Sequence, residues 1–343
     1  MKKLLNTVYI LTPDSYISLD GENMVIHMQD GTENRLPLHN IEGAVTFGSK
    51  GASPALLGKC AEYGISFSFL SRSGKFLFRA VGGVSGNVFL RREQYRQADS
   101  SECSMKLARN FIAGKLFNSR YVLERALRDH AMRIDQDKLR SKSEYLAESI
   151  RAALNASDPD SLRGIEGEAA QVYFSVFGDL ILQQNDSFEF TCRSRRPPLD
   201  RVNALLSFAY SLSTSMCTSA LESVGLDPYV GFMHTDRPGR CSLSLDLVEE
   251  FRAVMCDRFV LMLINKRIIS SEHFEQREDG AVLLNDEGRK LFFKQWQNRK
   301  KEQVTHPFLK EKVEWGLLPY TQALLLARYL RGDIDEYPPL MWK

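Results

Sequence analysis

The sequence predicts an α+β protein with a β-rich first quarter and a larger helical remainder. Short stretches of strand-like alternation, broken by Pro-Asp, Asp-Gly and Ser-Gly turn pairs, fill roughly the first 80 residues. From Asn87 onward, long segments instead carry apolar residues at three- and four-residue spacing. A length of 343 residues suggests two domains at roughly 100–200 residues each.

Taken in order, strands are expected at VYIL (8–11), NMVIHM (23–28), NRLPL (34–38), IEGAVTF (41–47), ISFSFL (65–70) and KFLFRA (75–80). One helix interrupts them, PALLGKCAEYG at 54–64, with Gly64 as its cap. The glycine-rich stretch Gly82 to Gly86, within 81–87, reads as a linker, which separates a β-rich domain at 1–83 from a helical domain at 88–343. Long helical patterns run over 105–130 and 202–225, and no internal repeat or low-complexity tract is visible.

With 43% apolar and 26% charged residues the chain can bury a sizeable core, which excludes disorder and fibrous repeats. The six cysteines are widely spaced with no CxxC pair, so neither a zinc ribbon nor a disulfide framework is expected, and a reducing cytoplasm fits them. The N-terminus lacks a cleavage site and reads as a strand, and the longest apolar run, Phe259 to Ile264, is far too short for a membrane helix. The expected location is cytoplasmic. A net charge of +2 argues against a protein that coats DNA, but the charge is unevenly placed. Residues 88–120 hold seven basic and three acidic residues, and 286–312 hold eight and four. The loop 190–201 carries four arginines against one aspartate, and Arg193, Arg195 and Arg196 just before Pro-Pro suit phosphate contacts.

Three places put acids or histidine where core packing explains them poorly. In LRGIEGEAAQVYF (162–174), Glu166 lies between Gly164 and Gly167. Each internal glycine costs a helix about 1 kcal/mol relative to alanine, so close approach to the backbone is expected there; the alternative is a helix start with Glu166 in its first turn. In YVGFMHTDRPGR (229–240), His234 precedes a turn flanked by Arg237 and Arg240, which would sit beside any anion that it meets. In SLSLDLVEEFRAVMCDRFVLMLI (242–264), Asp246 and Glu249 point from one side of an amphipathic helix, and Glu250 competes with them. The alternative there is a solvated acidic face. Together Glu166, His234 and Glu249, with Asp246 nearby, form a hard donor set that favours Mg²⁺ or Mn²⁺ over Zn²⁺. Such a site fits cleavage or joining of phosphodiesters.

These pieces, with DRVNALLSFAYSL (200–212), the tail at 306–343 and the opening SYISLDGENMV and LPLHNIEGAVTFG, resemble the CRISPR-associated spacer-acquisition integrase, CRISPR-associated protein one, over essentially the whole chain. The tail and length look most like the branch serving type I-C systems. The resemblance implies an N-terminal β-sandwich-like domain used in dimerisation and an all-α catalytic domain. It also implies a homodimer, joined in a 4:2 complex with a small ferredoxin-like second adaptation protein, acting on double-stranded DNA (prespacer and CRISPR repeat). It implies a metal site of Glu166 from the GxEG motif, His234 from the GFxH motif and Glu249, with Asp246 accessory, and strand transfer by 3′-hydroxyl attack. Asn203 lies in a segment kept near that site. A stand-alone nuclease or junction resolvase, or a non-catalytic DNA-binding scaffold, are the competing readings.

Overall fold

The computed structural model describes residues 6–71, 76–80 and 88–343, so the linker read at 81–87 lies outside the described residues. The chain divides into two compact units, Met1–Ser85 with Leu284–Glu302, and Gly86–Leu283 with Gln303–Lys343.

Among the described residues, the first unit holds two four-stranded sheets. One runs β1 (Thr7–Ile10), β5 (Gly43–Phe47), β7 (Ser66–Leu70) and β8 (Phe76–Ala80); β1, β5 and β7 are parallel and β8 is antiparallel to β7. The other runs β4 (Glu33–Pro37), β3 (Asn23–His27), β2 (Tyr16–Asp20) and β6 (Gly51–Ala52). Alternate residues such as Ile17, Met24 and Ile26 meet Ala44, Phe67 and Phe69 in one buried cluster, closed by Leu56 and Cys60 of helix α1 (Pro54–Glu62). Ser53 caps α1 by accepting from Leu56 N, and Gly64 turns the chain at φ +67° as its cap position requires. Sequence reading missed β2, because its outward Ser18 and Asp20 leave only two inward apolar residues as a signal.

The second unit contains α2 (Val88–Asp99), α3 (Ser101–Asp129), α4 (Gln136–Asn155), α5 (Pro159–Phe174), α6 (Arg201–Ser223), α7 (Ser242–Phe251) and α8 (Arg258–Asn265). After a hairpin of β9 (Phe274–Gln276) and β10 (Val282–Leu284), α9 (Asp286–Lys301) belongs to the first unit. The hairpin β11 (Gln303–Thr305) and β12 (Lys312–Glu314) and helix α10 (Leu318–Leu330) return to the second. Side-chain caps start the helices where the site needs them. Asp158 accepts from the Asp160 and Ser161 N–H groups at α5, Asp200 from Asn203 N at α6, and Ser100 from Cys103 N at α3. α3 is the centre of this unit, packing against α4, α5 and α7.

The division at 88–343 thus differs from the structure at α9. Phe293 of α9 stacks on Tyr9 at 4.0 Å and lies 5.2 Å from Phe47, and Gln297 and Lys300 donate to Thr7. Lys300 is buried, which lowers its pKa to about 8, and Arg289 and Arg299 pair with Asp286 and Glu302. The basic count at 286–312 is therefore partly spent inside the protein rather than on a free positive face. Among the described residues no helix is long and apolar enough to cross a membrane.

Candidate active site

The site is built on α3, α5 and α7 of the helical unit and on the turn 231–234. α7 is buried nearly all round, not amphipathic with a solvated acidic face: Asp246 and Glu250 are fully buried and Glu249 is 4% exposed. Burying three acids on one helix is costly unless each has its own partners. Each has them, in three different directions.

Asp246 faces the turn 231–234. Its Oδ2 accepts the N–H groups of Phe232 (2.6 Å) and Met233 (3.1 Å), and its Oδ1 accepts those of His234 N (2.9 Å) and His234 Nδ1 (2.6 Å). Both oxygens of Asp246, expected as an accessory metal ligand, are thus engaged by N–H groups of the turn and the imidazole. Asp246 holds the loop and orients the imidazole by accepting from Nδ1, which leaves Nε2 as the ring nitrogen that Asp246 does not engage. Gly231 makes this possible, since a Cβ there would lie 2.8 Å from Asp246 Oδ2 and 2.9 Å from the backbone of Ser242.

Glu250 faces away, toward the C-terminal tail. It accepts from Tyr337 Oη (2.7 Å), Gln322 Nε2 (2.8 Å) and Leu340 N (2.8 Å). Asn118 reinforces this clamp by donating to the carbonyls of Glu250 and Leu340 and accepting from Trp342 N. Burial pushes the Glu250 carboxyl up to about 7 against these hydrogen bonds. It seats the tail against α7.

Glu249 faces Lys115 of α3. Lys115 Nζ lies 2.8 Å from Glu249 Oε2 and also donates to Glu166 of α5, so one ammonium bridges the two carboxylates. The other oxygen of Glu249 pairs with Arg252 at 3.0 Å. Burial alone would raise the Glu249 carboxyl, but Arg252 and Lys115 more than offset it and hold it at about 2, with a further contribution from His234. Glu249 Oε2 is buried and, although ion-paired, receives no well-aligned hydrogen bond.

Glu166 stands in the middle of α5, eight residues past the Asp158 cap, so it is not a first-turn residue. A Cβ at Gly164 or Gly167 would meet nothing within 4 Å. Close approach by another described element therefore does not explain these glycines; Gly164 is exposed and Gly167 half-buried. Among the described residues no three His, Cys, Asp or Glu side chains are gathered closely enough to hold a metal ion. Glu166 and Glu249 meet through Lys115, and His234 is within electrostatic reach of Glu249.

A second network backs the site. Tyr210 Oη (2.6 Å) and Tyr173 Oη (3.1 Å) donate to the buried Asp257, whose carboxyl burial raises to about 6. The guanidinium groups of Arg252 and Arg193 both lie over the Tyr210 ring, at 4.9 and 5.3 Å. Arg193 also donates to Asn203 Oδ1 (2.6 Å) and Ser207 Oγ (3.0 Å), so it anchors the arginine loop instead of facing DNA as expected. Asn203 completes the anchor through Cys192 O and Ser194 N. Arg195, Arg196 and Arg237 are exposed and Arg240 is half-buried.

Sequence reasoning missed Lys115, Arg252, Asp257 and the tail clamp. The only signal for Lys115 is a lysine set among Phe111, Ile112, Ala113 and Leu116, all buried. Arg252 follows Glu249 by one helical turn, a spacing that suits pairing. The helix read over 242–264 is broken by a π-helical segment at Arg252–Asp257, which has no signature in the apolar pattern.

The profile of the family described as "CRISPR associated protein Cas1" matches residues 8–298. A CRISPR-associated endonuclease Cas1 of Chlorobaculum tepidum is 50% identical over 343 residues, covering 100% of both chains. The structure of a CAS1 protein from Thermotoga maritima superposes with a TM-score of 0.82 at 25% identity, over 95% of this chain and 97% of that one. A casposase bound to integration product shares the fold, with a TM-score of 0.84 at 22% identity over 98% and 94% of the two chains.

Proposed function

The chain belongs to the Cas1 family of CRISPR-associated endonucleases, and from that premise we propose that it is the metal-dependent DNA integrase of CRISPR adaptation. In this reading, which includes the type I-C branch that its tail suggests, it acts in the cytoplasm as a homodimer within a 4:2 complex with the second adaptation protein. The observation that carries the reading is the arrangement of Glu166 and Glu249 around one buried cation position, beside an imidazole that Asp246 orients.

The donor set suits Mg²⁺ or Mn²⁺. Two carboxylates already share a cation, Glu249 Oε2 lacks a directed hydrogen bond, and His234 Nε2 is free. Glu166, His234 and Glu249 would hold the ion. When bound, it would polarise a phosphodiester oxygen and activate the attacking hydroxyl. The chain's own residues set up the rest. Asp246 keeps the imidazole proton on Nδ1, Arg252 fixes the Glu249 carboxylate, and the tail clamp at Glu250 holds α7 in register with α3. Arg195, Arg196, Arg237 and Arg240 are available to phosphates around the site. The 3′-hydroxyl of an incoming fragment forms a new phosphodiester with the repeat strand and releases that strand's own 3′-hydroxyl. With water in place of the hydroxyl, the same site hydrolyses DNA.

Product analysis tests the proposal. Incubated with the second adaptation protein, Mn²⁺, a prespacer duplex and an array, the protein is expected to give fragment covalently joined to repeat DNA. Shortened DNA alone would favour a stand-alone nuclease, and intact DNA would favour a binding scaffold.

A further inference from the structure

We infer that Lys115 is an internal cation that competes with a divalent ion for Glu166 and Glu249, and thereby sets the metal affinity of the site. The inference rests on the reading of the site above. Lys115 Nζ touches both carboxylates, and its side chain is only 12% exposed, so the ammonium occupies the space between them. The buried neighbours Phe111, Ile112, Ala113 and Leu116 direct this part of α3 inward.

Charge balance makes the competition necessary. Glu166 and Glu249 carry two negative charges, and Lys115 and Arg252 supply two positive ones. A divalent ion added to that neutral group would leave a net +2 in a poorly solvated place, which is unfavourable. One cation therefore has to leave. Arg252 is held by its i,i+3 pair with Glu249 and by the Tyr210 ring at 4.9 Å. Lys115 has a flexible four-carbon stem ending in a point charge, so it is the group that withdraws. Each conformation with Lys115 between the carboxylates is one that a metal ion cannot use, and apparent affinity falls by the fraction that remains competent.

The test is Mn²⁺ binding by isothermal titration calorimetry on the full-length protein without DNA, comparing the wild type with Lys115→Met and Lys115→Arg. Lys115→Met is expected to bind Mn²⁺ at least about tenfold more tightly, and to show a larger rise in melting temperature on Mn²⁺ addition, because its metal-free carboxylates repel each other. Lys115→Arg, which keeps a cation of similar reach, should stay within about threefold of the wild type. Lys115→Gln, a polar replacement that tolerates the buried position, is held to the same expectation as Lys115→Met. Equal or weaker Mn²⁺ affinity in the neutral variants would overturn the competition while leaving the metal site in place. No Mn²⁺ binding by any of the proteins would overturn the reading of the site itself.

Discussion

Glu166→Ala, His234→Ala and Glu249→Gln are each expected to lower metal-dependent cleavage and joining of DNA about a thousandfold or more, with the protein still folded. The choice of replacement follows from burial. Glu166 keeps some exposure and, among the described residues, pairs with Lys115 alone, so truncation is tolerated. Glu249 is buried and pairs with both Lys115 and Arg252; Lys115 would keep Glu166, but Glu249→Ala would leave Arg252 without its carboxylate, at a cost of about 3–5 kcal/mol. Glutamine keeps its shape and one acceptor oxygen. Circular dichroism and melting temperature establish folding, and rates with Mn²⁺ establish the loss. Full activity in all three variants would show that the chemistry lies elsewhere.

The second large effect is at Asp246, which touches no substrate in this account. Asp246→Asn replaces one acceptor oxygen with a donor that faces N–H groups already aimed at it. Stability is expected to fall by about 3 kcal/mol. Mn²⁺ affinity is expected to fall about 10- to 100-fold, because the imidazole loses the partner that fixes its tautomer. Glu250→Gln is the control. It lies on the same helix and is equally buried, but it serves the tail, so Mn²⁺ affinity should stay within about threefold. Equal losses in the two variants would mean that α7 tolerates no change at either acid, and that Asp246 has no special tie to His234.

The two α7 acids show what the sequence could and could not disclose. Spacing puts Asp246 and Glu249 on one side of a helix, and the structure does bury both, yet spacing cannot tell a ligand from the residue that holds a ligand in place. That distinction depends on the backbone N–H groups of 232–234, which arrive from a loop whose path only the fold defines. Glu166, His234 and Glu249 stand out in the sequence as candidates because each sits among residues that make poor core: paired glycines, a charged turn, adjacent acids. Lys115 does not, because one lysine inside a long amphipathic pattern looks like an edge of its polar face. The β-rich start and the long helices were legible from period alone. The placement of α9 was not, since the contacts of its Phe293 with Tyr9 and Phe47 span 284 and 246 residues and leave no local mark.

The central claim is that Glu166, His234 and Glu249 converge on one divalent cation where Lys115 now bridges two of them. Anomalous diffraction from crystals of this protein grown with Mn²⁺ tests it directly. One peak is expected within about 2.0–2.6 Å of carboxylate oxygens of Glu166 and Glu249 and of His234 Nε2, with the Lys115 ammonium withdrawn. A Mn²⁺ peak on other residues, or none at saturating Mn²⁺ with Lys115 still between the two carboxylates, would contradict it.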